Sequence, residues 1–220
     1  MSRYVKNNAL LIFADGSFLK GLGIGKKGEK IGEICFNTSL TGYQEILSDP
    51  SYCGQIINFT FPHIGNVGVN DDDLESLKPN AAGLIIREDI TNPANFRSSD
   101  HLNNWLIKHN LTGICNVDTR SITKFTKNQG AQNVAIIYED NIENVDITAI
   151  SNKLKQQKDL KGVELASKAS LNKKYSWSGQ AGWDYDKNLY NVKNNNAKTI
   201  VAIDYGAKLN ILRCLSEVGF

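Results

Sequence analysis

The sequence predicts an α/β fold followed by the start of a second, incomplete unit. Three observations carry that reading. ALLIFADGSFLKGLGIG sets two strand-type apolar runs on either side of Asp15-Gly16, a strong short-range signal for an antiparallel hairpin. From about residue 99 onward, helical patterns alternate with strand patterns. Near the end, TIVAID, then Gly206, then KLNILRCL reads as a buried strand, a turn and a helix, the first half of a βαβ unit.

The elements follow in order. After the opening hairpin, IGEICFNTS and QIINFTF are strands, and AAGLIIRED supplies another, with Val, Ile and Phe at the buried positions. Between the first two of these lies TSLTGYQEILSDPSYCGQ. TGYQEIL has helical spacing and Asp49-Pro50 stops it. A turn that only reverses the chain needs Gly, Asn or Pro, whereas this one also offers Thr41, Tyr43, Gln44, Ser51 and Tyr52 as hydrogen-bonding side chains. It reads as a surface made to be recognised.

Ser99-Asp100 is placed to cap HLNNWLIKHN, where Leu102, Trp105 and Leu106 share a face. Asp118 is placed to cap TRSITKFTKNQ, which closes at Gly130. NVAIIYE is a strand, and ITAISNKLKQQ a helix with Ile147, Ile150 and Leu154 aligned. A mixed α/β domain over 1–155 results. Residues 156–197 are polar, rich in Asn and Lys and weakly periodic, and read as a linker anchored by Trp177 and Trp183. Residues 198–220 are the strand and helix of the second unit. A single parallel strand cannot bury both faces alone, so that unit reads as truncated.

Composition narrows the function. Lys and Arg number 25 against 23 Asp and Glu, a net charge of +2, so no basic field points to nucleic acid. The N-terminal apolar run, Ala9 to Ala14, is too short for a signal sequence or a membrane span, and a cytoplasmic protein is expected. Cys35, Cys53, Cys115 and Cys214 are isolated, which indicates neither a disulfide framework nor a zinc site.

Three motifs fail on inspection. GIGKKG (Gly23 to Gly28) satisfies GxGxxG but precedes a strand rather than a helix, and reads as a hairpin loop. It is no Walker loop either, because Glu29 stands where the Lys would be. GICNV is not a nucleophile elbow, since Val117 replaces the second glycine; Cys115 reads as a core thiol. His101 and His109 lie about two helical turns apart and cannot share a metal, and His63 sits in a Pro/Gly-shaped loop.

Taken together, GEICFNTSLTGYQEILSDPSYCGQIINFTFPHIGNVGVN, GICNVDTRSITKFTKNQGA, YSWSG and VAIDYGAKLNILRCLSEVGF resemble, in order and spacing, the small (glutaminase) subunit of carbamoyl phosphate synthetase. The resemblance implies a swivelling β/β/α N-terminal domain joined to the start of a class I glutamine amidotransferase domain of flavodoxin-like fold. It implies a subunit that releases ammonia from L-glutamine. The partner it implies is a large subunit that uses ATP and magnesium to make carbamoyl phosphate for arginine and pyrimidine synthesis. No cofactor is implied for this chain, and no nucleic acid or membrane partner.

By the same resemblance the nucleophilic Cys and its His-Glu pair lie beyond Phe220, so the chain alone is expected to be inactive. The one substrate residue that carries over is Ser51, which would help hold glutamine at the domain interface. Tyr43, Tyr52 and Phe61 are the candidate anchors for the large subunit. The alternative is a non-catalytic docking module for that subunit, from a shortened or split gene.

Overall fold

In a computed structural model, which describes residues 6–177, 180–192 and 198–220, the chain closes seven strands into a barrel. The strands are β1 (Ala9–Phe13), β2 (Phe18–Gly25), β3 (Gly28–Asn37), β4 (Gln55–Phe59), β5 (Gly83–Ile85), β6 (Thr112–Cys115) and β7 (Asn133–Tyr138). Their order around the barrel is β1-β2-β6-β5-β4-β3-β7. β3, β4, β5 and β6 run parallel to their neighbours within that run. The remaining pairs are antiparallel, including the closure of β7 on both β1 and β3.

Parallel strands need crossovers. α1 (Tyr43–Ser48) lies in that from β3 to β4 and α2 (Leu102–Lys108) in that from β5 to β6, the β4 to β5 crossover is irregular, and α3 (Thr119–Gln129) connects β6 to β7. Asp118 caps α3 by accepting from the N–H groups of Arg120 and Ser121, both at 3.1 Å, and Gly130 ends it at φ 84°. For α2 the cap falls one or two residues later than the sequence predicts. His101 Nδ1 accepts from Asn103 N at 3.2 Å, while Asp100 bonds His101 N and the Asn104 amide.

One apolar cluster takes Leu11, Ile34, Ile56, Ile85, Ile114 and Ile136 from six different strands and so fills the barrel, with Ile122 of α3 alongside. A second covers the outer face of β4 and β5 with Leu47, Leu102, Trp105 and Leu106. The third packs Leu10, Ile12, Ala135 and Ile137 against Leu154 of α4 (Ile147–Gln156). Strands buried on both faces explain why ALLIF and VAII read as unbroken apolar runs.

Three sequence expectations are corrected. GIGKKG is a connection but not a hairpin loop, because β2 and β3 separate to opposite sides of the barrel, β2 pairing with β1 and β6 and β3 with β4 and β7. Residues 156–197 are more than a linker. They contain a short helix, α5 (Ala166–Ala169), and a two-stranded sheet of β8 (Gln180–Asp184) and β9 (Leu189–Val192), with Trp183 edge-on to Tyr190 at 4.9 Å. TIVAID forms no strand among the described residues. Without a neighbour its backbone has no ladder to join, and Val201 and Ile203 are exposed. The helix after it, α6 (Leu209–Glu217), does form. Ser178 and Gly179 of the YSWSG stretch, and residues 193–197 of the expected linker, lie outside the described residues.

The barrel walls leave little room for added atoms. A methyl group on Gly32 would sit 2.7 Å from the Gly54 carbonyl oxygen and 3.1 Å from Ala82 Cβ, whereas Gly130, at φ 84°, faces open space. Gly32→Ala is therefore expected to cost about 3 kcal/mol by overpacking, and Gly130→Ala about 1 kcal/mol from left-handed backbone alone. Urea unfolding of the two variants checks the order; equal losses would contradict it.

Candidate functional site

The segment 42–52 is built from the inside outward. Gly42 enters α1 from the left-handed region, φ 82°, and the next two side chains turn into the core. Tyr43 Oη donates to the Gly68 carbonyl at 2.6 Å. Gln44 pairs with the backbone of Asn70 as a strand would: Nε2 donates to Asn70 O at 2.7 Å and Oε1 accepts from Asn70 N at 3.0 Å. Tyr52 is half-buried and its hydroxyl accepts from Asn37 Nδ2 at 3.0 Å. Of the side chains read as a recognition surface, only Thr41 and Ser51 are exposed. Tyr43 is 2% exposed and cannot be a docking anchor, and Tyr52 and Phe61 pack on the core cluster.

Asp49 and Pro50 face the segment 204–208, and Ser48 is linked to the residues after it through Glu75. Ser48 Oγ donates to Gln44 O at 2.8 Å and accepts from Glu75 N at 3.0 Å. Glu75 in turn accepts from the first turn of α6, Leu209 N at its carbonyl (2.9 Å) and Asn210 N at Oε2 (3.0 Å). A carboxylate at a helix N-terminus meets both the unpaired N–H groups and the positive end of the dipole.

Asp49, almost fully buried, divides its carboxylate. Oδ1 accepts from Ser51 N at 2.8 Å, and Oδ2 pairs with Lys208 Nζ at 2.6 Å. That bond raises the Lys208 ammonium above its ordinary pKa. Pro50 is buried against the turn at Gly206, where an added methyl would come within 3.3 Å of Pro50 Cβ and 3.0 Å of Ala169 Cβ. Asp204 holds that turn, accepting from Gly206 N, Ala207 N and Leu171 N.

Ser51 is what remains. Its backbone is pinned by Asp49 in a 3-10 turn, Pro50–Tyr52, while its hydroxyl is exposed and makes no hydrogen bond among the described residues. Of this turn only Pro50 reaches the cavity of about 1390 Å³ that opens beside it, walled also by Tyr175, Ile200, Ile203, Leu212 and Phe220.

The hairpin of β8 and β9 sits between the 72–97 loops and α6. Arg97, bonded to Asp73 Oδ1 at 2.7 Å, lies 4.3 Å above the Trp183 ring. Arg213 of α6, 5% exposed, lies 4.1 Å above Tyr190, whose hydroxyl donates to Asp72 O. Such stacked cations contribute roughly 1–2 kcal/mol each when desolvated.

The other candidates take structural places. Burial pushes the Cys115 thiol up to about 12, with Asp89 adding to it, and pushes Cys35 up to about 12 as well. His109 stacks on Trp105 at 4.7 Å and burial lowers its pKa. His63 is exposed, edge-on to Phe61. Among the described residues no three His, Cys, Asp or Glu side chains are grouped to hold a metal ion, and no helix is long and apolar enough to cross a membrane.

Residues 11–136 match the family model for the carbamoyl-phosphate synthase small chain, CPSase domain. That match covers more than half of the sequence and spans all of the barrel except its two outermost strand ends. The chain belongs to the carbamoyl-phosphate synthase small chain family. Among curated relatives, the carbamoyl phosphate synthase small chain of Bradyrhizobium diazoefficiens is 41% identical over 218 residues, covering 97% of this chain and 54% of that protein. The small chain of Zymomonas mobilis is 44% identical over 209 residues, 95% of this chain and 55% of that one. That of Rhizobium meliloti is 44% identical over 213 residues, 94% and 53%. The chain thus spans about half the length of the small chains it matches. The 42–52 segment and the residues 204–210 both lie within the 97% of this chain that the first of these matches.

Sequence reasoning singled out Ser51 but passed over Asp49, Lys208 and Glu75. The Asp-Pro-Ser spacing is itself a signal, since an Asp side chain often accepts from the N–H two residues on. Lys208 and Glu75 carry no local signal, because their partners are remote in sequence.

Glu45, one turn before Asp49, is held neutral more easily than an ordinary carboxyl. Burial raises its pKa from 4.5 to about 7, and the nearby carboxylates of Asp73 and Glu75 add to the rise. Between those two values the folded chain holds a proton that the unfolded chain has released, so stability falls as pH rises toward 7 and is flat above it. Glu45→Gln is expected to be more stable than the parent by about 2 kcal/mol at pH 8, and nearly equal at pH 4.5. Urea unfolding at both pH values measures it; a gain independent of pH would contradict the assignment.

Proposed function

We propose that this chain is the barrel-bearing part of the small subunit of a glutamine-dependent carbamoyl phosphate synthase. In this reading 1–155 is the small-subunit N-terminal domain, 156–197 joins it onward, and 198–220 begins a glutamine amidotransferase domain. The subunit draws ammonia from L-glutamine. A large subunit, bound as a heterodimer in the cytoplasm, uses ATP and magnesium to combine that ammonia with bicarbonate, supplying arginine and pyrimidine synthesis. No metal or nucleotide is assigned to this chain.

The observation that carries the reading is the state of Ser51. Two neighbours, Asp49 and Pro50, spend their polar or apolar groups on the 204–208 turn, and Ser51, next to the Pro50 that walls the cavity, presents an exposed hydroxyl that makes no hydrogen bond among the described residues. A backbone so held presents one oxygen at a defined point, which is what orienting a small polar substrate requires. Supporting it, membership of the family brings this turn with the rest of the matched region.

The chain by itself is proposed not to hydrolyse glutamine. An attacking thiol must be low in pKa or have a base beside it, and burial moves Cys35 and Cys115 in the opposite direction. Purified 220-residue chain should release no glutamate above a buffer control; release that is lost in Cys115→Ser would overturn this.

In the complete small subunit, assembled with its large subunit, Ser51→Ala is expected to lower kcat/KM for glutamine by roughly 10- to 100-fold, the effect of one lost hydrogen bond to a charged ligand. Carbamoyl phosphate synthesis from free ammonia should be unchanged. Unaltered glutamine kinetics would sink the Ser51 assignment.

A further inference from the structure

Resting on the Ser51 reading above, we propose that Trp183 and Tyr190 are positioning residues of the glutamine site: held between Arg97 and Arg213, their rings fix α6, and the turn before it, against the Ser51 turn. Four side chains form one unbroken series. The Arg97 guanidinium lies 4.3 Å above the Trp183 ring, Trp183 meets Tyr190 edge-on at 4.9 Å, and the Arg213 guanidinium lies 4.1 Å above Tyr190. Arg97 belongs to the β5 to β6 crossover of the barrel and Arg213 to α6.

Both ends of the series are committed. Arg97 donates to Asp73 Oδ1 at 2.7 Å, and the two side chains are only 22% and 15% exposed. Arg213, itself buried, reaches the carbonyl oxygens of Leu74 and Asp72 at no less than 3.5 Å, and its Nε has no partner among the described residues. A buried guanidinium bonded so weakly depends on the face of Tyr190 for the rest of its stabilisation.

Two further bonds cross the hairpin. The Tyr190 hydroxyl donates to Asp72 O at 3.2 Å on the barrel side, and Gly182 N donates to Glu217 Oε2 at 2.8 Å on the α6 side. The hairpin therefore grips α6 at Arg213 and Glu217, while Glu75 holds its first turn. α6 follows directly on the turn through Gly206 that packs on Pro50, and Pro50 precedes Ser51 in the same 3-10 turn. A displacement of α6 is thus passed to the surface beside Ser51. Neither Trp183 nor Tyr190 lines the cavity that Pro50 walls, so both act on substrate only through the placement of α6.

The test has two readouts. In the 220-residue chain, Trp183→Leu keeps apolar bulk but removes the face under Arg97, and should speed hydrogen exchange of the α6 amides about tenfold. Trp183→Phe keeps a ring and should stay near the parent, and the amides of β1 and β7 should be unchanged in both. In the complete subunit with its large subunit, Trp183→Leu should raise KM for glutamine roughly three- to tenfold with kcat unchanged, and Trp183→Phe should recover it. Tyr190→Leu should act in the same direction as Trp183→Leu. Ammonia-dependent synthesis should be normal throughout.

Unchanged α6 exchange in Trp183→Leu would overturn the hold on α6, and faster exchange with unchanged KM would overturn the positioning role. In either case the Ser51 reading stands if Ser51→Ala still weakens glutamine use. If Ser51→Ala leaves glutamine kinetics unaltered, that reading fails and the positioning role with it, whatever the exchange rates do. Exchange that rises equally in β1 and β7, loss of ammonia-dependent synthesis, or a Trp183→Phe variant that does not recover KM would each show a general loss of structure and overturn the proposal.

Discussion

β7 closes the barrel, and the rest of the molecule is arranged around that closure. It pairs with β1 along one edge and β3 along the other, from Val134 to Tyr138 and from Asn133 to Tyr138 respectively. A sheet that mixes a parallel half with an antiparallel half would otherwise expose two unpaired edges. With the edges joined, every strand is held on both sides and the interior can be filled from six strands at once. The outer faces are then free to carry helices, α4 against β1 and β7, and α1 and α2 over β4 and β5. The rigidity that the 42–52 segment needs comes from this arrangement.

On that support the segment divides its labour by depth. Tyr43 and Gln44 tie α1 to the 68–70 loop, Ser48 holds Glu75, Asp49 reaches Lys208, and Ser51 stands outside. Polar groups in the buried layers are matched: Gln44 is used at both ends of its amide, and Asp49 at both oxygens. Matching of this kind is what makes a buried polar network a source of specificity rather than a cost. In the 42–52 segment the exposed layer holds the Ser51 hydroxyl, which makes no hydrogen bond among the described residues.

The strands and helices of the barrel are legible because their signals are local. Asp15-Gly16 turns a hairpin, Asp118 and Gly130 bracket a helix, and period-3.6 apolar spacing marks α4. What could not be read is what depends on partners far away in sequence. The separation of β2 from β3 is decided by β6 and β7, more than eighty residues on, so GIGKKG looked like a hairpin loop. β8 and β9 are short and polar outside, and gain their place from Arg97 and Arg213 stacking on Trp183 and Tyr190. TIVAID has the composition of a strand, but composition does not supply a neighbour. Family resemblance pointed to Ser51, whereas the ion pair next to it, Asp49 with Lys208, needed the fold to bring residue 208 to residue 49.

The cap on α6 is supplied by Glu75, 135 residues earlier in the chain. During synthesis the two therefore do not meet at the same moment. At ribosomal speeds the donor groups of α6 are made on the order of ten seconds after the acceptor. The cap is thus a contact that closes only after the whole intervening chain, β7 included, has been made. The helix at 209–217 is thus seated by the loops of the barrel that precede it, and its place is set by a carboxylate and a carbonyl of one residue far upstream.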